Sequence, residues 1–144
     1  MGVHVRMPDI AGEDISAWQF NIPEFDFYLD SMNYYMNKYK NVIFLCFSNN
    51  TSWASEYYNF NIFNNLHWMH DGSIFNDMCL LTLCDHYIIS PSTFGWWSAF
   101  LSINKDKEVI MATPLFNKET HVVENEFMDL QVPGWKIWRN KGDI

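Results

Sequence analysis

The 144-residue sequence has few basic residues. Nine lysines and arginines stand against 17 aspartates and glutamates, which gives a formal net charge of −8 at pH 7. No basic stripe is present, and proteins that bind DNA or RNA use such stripes to contact phosphates. Long apolar runs are also missing, since no stretch approaches the roughly 20 residues that span a bilayer. We therefore expect no nucleic acid partner and no membrane contact from this chain.

Two further absences concern location and redox chemistry. The first six residues show a strand pattern and no signal-peptide pattern. We expect either an intracellular protein or a targeting segment that lies outside the chain. Three cysteines, Cys46, Cys79 and Cys84, do not make a disulfide framework. Free thiols in the core are the expected outcome.

Apolar and aromatic residues, in contrast, are plentiful. Hydrophobic residues make up 49% of the chain and aromatic residues 18%, which is ample material for the core of one domain or one lobe of a larger protein. Strand patterns cover 3–6, 42–47, 60–63, 86–90 and 108–112, and helix patterns cover 21–39, 51–58, 73–84 and 93–102. Alternation of this kind predicts an α/β fold, a parallel sheet with helices on both faces. Ligands bind such sheets beyond the carboxyl ends of the strands.

Helix boundaries follow from capping residues. Asn21 is a candidate N-cap of the first helix, with Pro23 in its first turn. Ser73 is a candidate N-cap for the helix that follows. The segment 133–138 shows no clear period.

The turn "SPSTFG", 90–95, joins a predicted strand to a predicted helix at the carboxyl edge of the sheet. A helix N-terminus offers unpaired amide groups to an anion, Ser92 and Thr93 add hydroxyl donors, and Gly95 leaves room for a close ligand. This combination suits a phosphate. On this stretch alone, an ordinary capped helix start is the favoured interpretation.

Arg6 is the only arginine before Arg139, and it ends the first predicted strand at the same edge. Together with His4 and Asp9 it forms H-x-R-x-x-D. A guanidinium group matches phosphate oxygens in two-point contacts. The alternative is a surface arginine paired with Asp9 or Asp14.

Taken together, these segments resemble the carboxyl-terminal half of the family-11 glycosyltransferases, the α-1,2-fucosyltransferases, which use GDP-fucose. "GVHVRMPD" is similar to the family's G-V-H-[IV]-R-R-G-D, and "FLCFSNNTSW" to F-x-x-[FT]-S-[DN]-[DNG]-x-x-W. The segment 76–102 is similar to D-[FL]-x-L-[LM]-[ST]-x-C-x-H-x-I-[IM]-x-x-[SG]-T-F-[GS]-[WF]-W-x-A-[YWF]-L. The similarity runs in the same order through nearly the whole chain.

The resemblance implies roles for the residues that match these motifs. Arg6 would meet the donor diphosphate as the catalytic cation, and the turn of Ser92, Thr93 and Phe94 would support it. His4 and Asp77 would lie near the guanine or ribose, and Asp9 completes the first motif. The chain, residues 1–144, would be the GDP-fucose-binding, Rossmann-like lobe of a GT-B-like enzyme whose amino-terminal lobe is absent.

The same resemblance implies an inverting transfer to a galactoside-type glycan acceptor in the Golgi lumen, without a metal cofactor. The sequence contains no Asp-x-Asp, and the pair His67 and His70 is the nearest alternative for a metal. No general base stands out; Asp9 and Asp14 are conceivable.

Two departures from the family pattern bear on activity, namely the absence of the amino-terminal lobe and a change in the first motif. Met7 and Pro8 replace an arginine and a glycine, so one cation is lost.

A different class of function is a catalytically incomplete module that binds a nucleotide sugar or a carbohydrate. In that module Trp53, Trp96 and Trp97 would stack on sugars, although core packing explains tryptophans at such positions as well.

Overall fold

In the computed structural model, described over residues 1–8, 21–69, 73–114, 116, 130–139, 141, 142 and 144, six strands form one parallel sheet. The strands are β1 (Gly2–Val5), β2 (Phe44–Ser48), β3 (Leu66–Trp68), β4 (Tyr87–Ile89), β5 (Val109–Ala112) and β6 (Lys136–Trp138). The helices are α1 (Phe25–Lys38), α2 (Thr51–Tyr57), α3 (Ile74–Thr82) and α4 (Thr93–Phe100), with a 3₁₀ helix at Phe60–Ile62. The strand order is β3-β2-β1-β4-β5-β6. This is the doubly wound order of the Rossmann fold, which confirms the predicted fold class.

Helices cover both faces of the sheet, because the strands are apolar on both faces. Val3 and Val5 of β1 belong to the core under α1 and α2, which also contains Tyr28 of α1. The opposite face, with Ile89 of β4, packs under α3 and α4. His4 lies between the two valines along β1, so its side chain points to the α3 and α4 face.

The strand order changes direction at β1. This strand pairs with β2 on one side, Val3 opposite Cys46, and with β4 on the other, Val3 opposite Ile88. Helix α1, the next described element after β1, packs on one face of the sheet, and α4, the next after β4, packs on the other. A crevice therefore opens at the carboxyl ends of these two strands, where doubly wound sheets bind their ligands.

The opposite, amino-terminal edge of the sheet is tied to the end of α1. The Tyr35 hydroxyl lies 2.9 Å from the Glu108 carbonyl oxygen and 3.2 Å from that of Tyr87. The Glu108 carboxylate accepts hydrogen bonds from three side chains, those of Tyr34, Lys38 and Tyr39. Partial burial alone would raise the Glu108 pKa, but these hydrogen bonds outweigh it and lower the pKa to about 2.

Prediction and structure differ at three elements: one predicted strand is absent at that position, and two observed strands were not predicted. The segment 60–63 is a 3₁₀ turn and not a strand, because Phe60 and Phe63, three residues apart, both turn into the core. Strands β3 and β6 were not predicted. Both are three residues long and lie at the two edges of the sheet. Among the described residues, one side of each strand has no neighbouring strand, and the apolar pattern is weak.

The first helix begins later than its capping pattern predicts. Glu24, not Asn21, occupies the N-cap, without a capping side chain, and Pro23 precedes the helix. The Pro23 carbonyl accepts a hydrogen bond of 2.6 Å from the Tyr58 hydroxyl. That bond fixes the entry to α1. The predicted Ser73 cap of α3 is confirmed, since its Oγ accepts from the Asn76 amide.

The described cysteines are free, as expected. Cys46 and Cys84 are buried, and burial raises the pKa of both thiols. Cys79 is exposed, so the expectation of a core thiol was wrong there. Within the described segments, no helix has the length and apolar character needed to cross a membrane.

Candidate functional site

A cleft of about 330 Å³ lies at the carboxyl edge of the sheet, where the topology predicts a ligand site. Four elements supply its walls: the end of β1, the end of β2, the first turn of α3 and the first turn of α4. The lining residues are His4, Arg6, Phe47, Ser48, Asn49, Ser73, Ile74, Asp77 and Phe94. Apolar and aromatic surfaces thus face one basic and one acidic side chain.

His4 is buried, with 3% of its surface exposed. Desolvation, with a smaller contribution from the positive charge of Arg6, lowers the His4 pKa to about 3. The imidazole is therefore neutral at physiological pH. Its ring lies against the Phe94 ring, with centroids 5.4 Å apart.

Ser90, which directly follows β4, joins two candidate site residues, His4 of β1 and Arg6, which directly follows β1. Its Oγ accepts a 2.9 Å hydrogen bond from the Arg6 backbone amide and lies 3.1 Å from His4 Nδ1. Gly95 completes this arrangement, because a Cβ there would stand only 2.8 Å from His4 Nδ1. The glycine makes room for the histidine ring. The sequence predicted that Gly95 makes room for a ligand, but the structure places the His4 ring in that space.

Asn49 fixes the chain directly after β1. Its side-chain amide pairs with both backbone groups of Met7, accepting from the nitrogen at 2.9 Å and donating to the oxygen at 2.8 Å. Met7 itself is fully buried in the core under α1. The residue that replaces a family arginine is thus a core residue here, and this position cannot carry a second cation into the cleft without unpacking the core.

Asp77 enters the cleft from the first turn of α3. Its amide donates to the Ser73 carbonyl as α3 begins, and its Oδ1 atom is buried. A carboxylate in the first turn of a helix is favourable because it faces the positive end of the helix dipole. The position offers hydrogen-bond acceptors to a ligand that presents N–H or O–H groups.

The structure brings four predicted site residues together at the cleft: His4, Arg6, Asp77 and Phe94. Ser92 and Thr93 lie beside it in the first turn of α4 but do not form its walls. The Ser92 hydroxyl accepts from the Phe94 amide at 3.2 Å and so caps the helix, and Thr93 is exposed. Their contact with phosphate stays a prediction.

Some predictions fall outside the described residues, namely those on Asp9, Asp14 and His70. His67 is exposed, and the proposed partner for a metal, His70, is among the residues not described. Within the described segments, no three histidine, cysteine or acidic side chains group as metal ligands do.

Sequence reasoning missed five wall residues, which are Phe47, Ser48, Asn49, Ser73 and Ile74, and the supporting Ser90. The rule that ligands bind beyond the carboxyl ends of the strands could have found the first three, since Phe47 and Ser48 end β2, the strand that neighbours β1, and Asn49 directly follows it. Ser90 has the same relation to β4. Only the paired register shows that its hydroxyl reaches across to His4.

Comparison with curated proteins places similar sequences among α-1,2-glycosyltransferases. An alpha-1,2-colitosyltransferase from Escherichia coli is 28% identical over 122 residues, which cover 83% of this chain and 42% of that protein. Galactoside alpha-(1,2)-fucosyltransferase 2 from Pongo pygmaeus is 29% identical over 112 residues, covering 71% of this chain and 30% of that protein. Galactoside alpha-(1,2)-fucosyltransferase 1 from Mus musculus is 28% identical, covering 71% and 28%. The chain spans less than half the length of these relatives.

No solved structure matches the chain. The model of the family described as "Glycosyl transferase family 11", however, matches residues 1–137. That match includes every strand except the last residue of β6 and all residues of the cleft. The chain belongs to glycosyl transferase family 11.

Proposed function

We propose that this chain is the donor-binding lobe of an α-1,2-fucosyltransferase and that it holds GDP-fucose in the cleft at the end of β1. The observation that carries the proposal is the convergence of His4, Arg6, Asp77 and Phe94, from three separate elements, on one cleft. The names of the relatives support the α-1,2 linkage, which the fucosyl- and colitosyltransferases share.

The proposed pose divides the nucleotide between two parts of the cleft. Asp77 and the apolar surfaces of Phe47, Ile74 and Phe94 suit the guanosine, because a carboxylate can accept both N1–H and the 2-amino group of guanine. Arg6 suits the diphosphate as a bidentate cation. The first turn of α4 adds amide groups next to it.

Transfer then depends on charge stabilisation at the leaving group. Fucose leaves as an oxocarbenium-like species while negative charge grows on the β-phosphate oxygen of GDP. A fixed guanidinium group stabilises that charge without proton transfer. The acceptor hydroxyl attacks the opposite face of the sugar, which inverts the anomeric carbon. The base that assists this hydroxyl is not assigned to a residue.

Isothermal titration calorimetry tests the donor site. The chain should bind GDP in EDTA as tightly as in magnesium, because Arg6, rather than a metal held by carboxylates, neutralises the diphosphate. ADP should bind at least 10-fold more weakly, since adenine cannot offer the two adjacent donors that a carboxylate accepts. Loss of GDP binding on chelation would overturn the metal-independent assignment.

The isolated chain should bind the donor but not transfer fucose efficiently. It spans 28–42% of the length of the relatives, and catalysis requires both substrates in near-attack geometry. A radiolabelled GDP-fucose assay with galactosides checks this, with the calorimetric binding as the control for folded protein. Turnover near one per second would contradict it.

The second candidate function is a nucleotide-sugar-binding module. It rests on the same observation, that the chain spans only 28–42% of the length of the relatives. The two candidates separate when the chain is tested within its full-length gene product. Fucose transfer by that product supports the enzyme, and GDP binding without transfer supports the module. The resemblance also leads us to propose a Golgi location, which imaging of the full-length protein with a Golgi marker tests.

A further inference from the structure

We propose that the outer face of α3 and α4 is the surface through which two copies of this chain associate. This outer face consists of exposed apolar side chains on the two helices and directly after them, namely Phe75, Cys79, Leu80, Leu83, Trp97, Phe100, Leu101 and Ile103. None of these residues lines the cleft. The inference therefore does not depend on the proposed function.

Helices α3 and α4 contact each other and are apolar on both of their sides. Their inner sides, with Leu81 and Ala99, pack in the core under the sheet. On the outer side Phe75, Cys79 and Leu83 follow at intervals of four residues and so form one stripe along α3. A helix that is apolar all round is normally buried all round.

Helix α1, on the other face of the sheet, shows the ordinary pattern of a helix that faces water. Its exposed side chains are Asn33, Asn37 and Lys38, which are all polar. Its apolar side chains face the core. The contrast indicates that the α1 side of the sheet meets solvent and that the α3 and α4 side meets a further apolar surface.

The size of the outer face matches the size of a dimer interface. Its eight side chains present roughly 900 Å², if a large side chain presents about 200 Å² when fully exposed. The largest apolar patch of a typical monomer covers about 300–600 Å². A stable interface takes about 800 Å² from each partner, so one copy can cover another through a two-fold axis.

Charge favours a second copy over a lipid surface as the occupant. Asp77 is the one charged residue in the sequence of α3 and α4, and it faces the cleft. Two outer faces can therefore meet without burying a charge. Residues 41–104 contain no lysine or arginine, the residues that attract a helix to anionic headgroups. The face fits an uncharged apolar partner, and the same face of a second copy is one.

Sedimentation velocity of the 144-residue chain, with reductant present, measures the association. The parent chain should be dimeric at micromolar concentration. Phe75→Gln and Leu101→Gln change one residue on each helix. Each should raise the dimer dissociation constant at least about 10-fold, because a two-fold dimer would bury two unpaired amide groups.

Ile62→Gln is the matched control. Ile62 is 52% exposed and Leu101 is 54% exposed, but Ile62 belongs to the 3₁₀ helix whose Phe60 packs in the core under α1. The same substitution there should change the dissociation constant by less than about 2-fold. Circular dichroism confirms that each variant is folded.

Cys79 locates the interface, because it lies between Phe75 and Leu83 along α3 and is the exposed one of the three cysteines. Its alkylation by iodoacetamide, followed by mass spectrometry, should slow as the chain concentration rises. In Leu101→Gln it should stay fast at concentrations where the parent chain is dimeric.

Four results would overturn the proposal. A chain that is monomeric at all concentrations has no such dimer, and a dimer in which Cys79 reacts at the monomer rate uses another surface. Flotation of a monomeric chain with phosphatidylcholine vesicles would assign the outer face to lipid. A monomeric full-length gene product with a protected Cys79 would assign it to the protein's own chain. None of these measurements involves GDP, so the donor site is tested separately.

Discussion

Arg6 is the only cationic side chain among the described residues that line the cleft, since His4 is neutral. Its backbone is anchored to Ser90, and the residue after it is anchored to Asn49. The guanidinium group therefore extends from a chain segment held on both sides. This rigidity suits a group that must meet a diphosphate without rearrangement.

Arg6→Ala should weaken GDP binding about 10- to 150-fold, because a charge-assisted hydrogen bond contributes roughly 1.5–3 kcal/mol. Arg6→Lys should recover only part of the affinity, since an ammonium group lacks the planar fork. Guanosine, which has no phosphate, should bind both variants nearly as well as the parent. Calorimetry with the two ligands measures the difference.

Lys105→Ala is the matched control, since Lys105 is an exposed cation between α4 and β5, away from the cleft. It should leave GDP affinity within about 2-fold. Circular dichroism confirms that each variant is folded. Equal losses of GDP and guanosine binding would mean that Arg6 acts structurally.

Asp77 should select guanine by its 2-amino group. The parent chain should prefer GDP to IDP, which lacks that group, by about 10-fold, the value of one hydrogen bond to a carboxylate. Asp77→Asn should reduce this preference to about 2-fold, because an amide oxygen and an amide N–H cannot both accept. Competition calorimetry with the two nucleotides gives the ratio.

Asp85→Asn provides the comparison, because Asp85 is an exposed aspartate between α3 and β4. It should not alter the ratio. If Asp77→Asn binds GDP more weakly but keeps the preference over IDP, the carboxylate contacts the ribose and not the base.

At the residue scale, the sequence predicted those site residues whose own charge or ring faces the cleft. The charge of Arg6 and Asp77 and the ring of His4 were visible in the motif, and all three line the cleft. Ser90 and Asn49 act through backbone groups 84 and 42 residues away. Such partners are defined only by the pairing of distant strands.

At the scale of elements, the Tyr35 hydroxyl ties α1 to the amino-terminal edge of the sheet. Tyr35→Phe should lower the free energy of unfolding by roughly 1–3 kcal/mol, since the carbonyls of Tyr87 and Glu108 lose their shared donor. Urea denaturation measures this loss. GDP affinity should not change, because the cleft lies at the opposite edge.

Tyr57→Phe removes a hydroxyl from a tyrosine that is 50% exposed, and it should change stability by less than about 0.5 kcal/mol. An equal effect of the two substitutions would show that the Tyr35 hydrogen bonds add nothing beyond the ring.

The helices and strands were predicted correctly where burial in the core requires a strong pattern of apolar residues. Helix α4 and strands β1 and β5 have strong apolar patterns, and each was found within two residues of its observed bounds. Strands β3 and β6 are short and at the sheet edges, so the neighbouring strand, rather than their own sequence, determines them. Local pattern cannot supply that information.

At the scale of the whole molecule, buried histidine links stability to pH. The His4 pKa is about 3 in the folded chain against an ordinary value of 6.5, so between these values the unfolded chain binds a proton that the folded chain does not. Stability should therefore fall as pH drops below 6.5. From pH 7 to pH 5 the His4 contribution is about 2 kcal/mol, at 1.36 kcal/mol per unit.

His4→Gln should flatten the dependence over this range, as measured by urea denaturation at pH 7, 6 and 5. His86, whose pKa is also lowered by burial, leaves a residual slope, and His86→Gln reports its share. Glu108 acts at lower pH, since its pKa falls from 4.5 to about 2. An unchanged slope in His4→Gln would show that the imidazole is already solvated in the native chain.

The pairing of β1 has a consequence for the order in which the molecule assembles. Although β1 is made first, its two neighbours are centred on Cys46 and Ile88. A ribosome that adds about 5–20 residues per second needs several seconds to supply the second of them. Throughout that interval β1, a strand that is buried along its whole length in the folded chain, has an open edge, and contacts of such separation form slowly. Nascent chains of this protein are thus most vulnerable to aggregation before β4 emerges, and chaperone demand should peak over that stretch of synthesis.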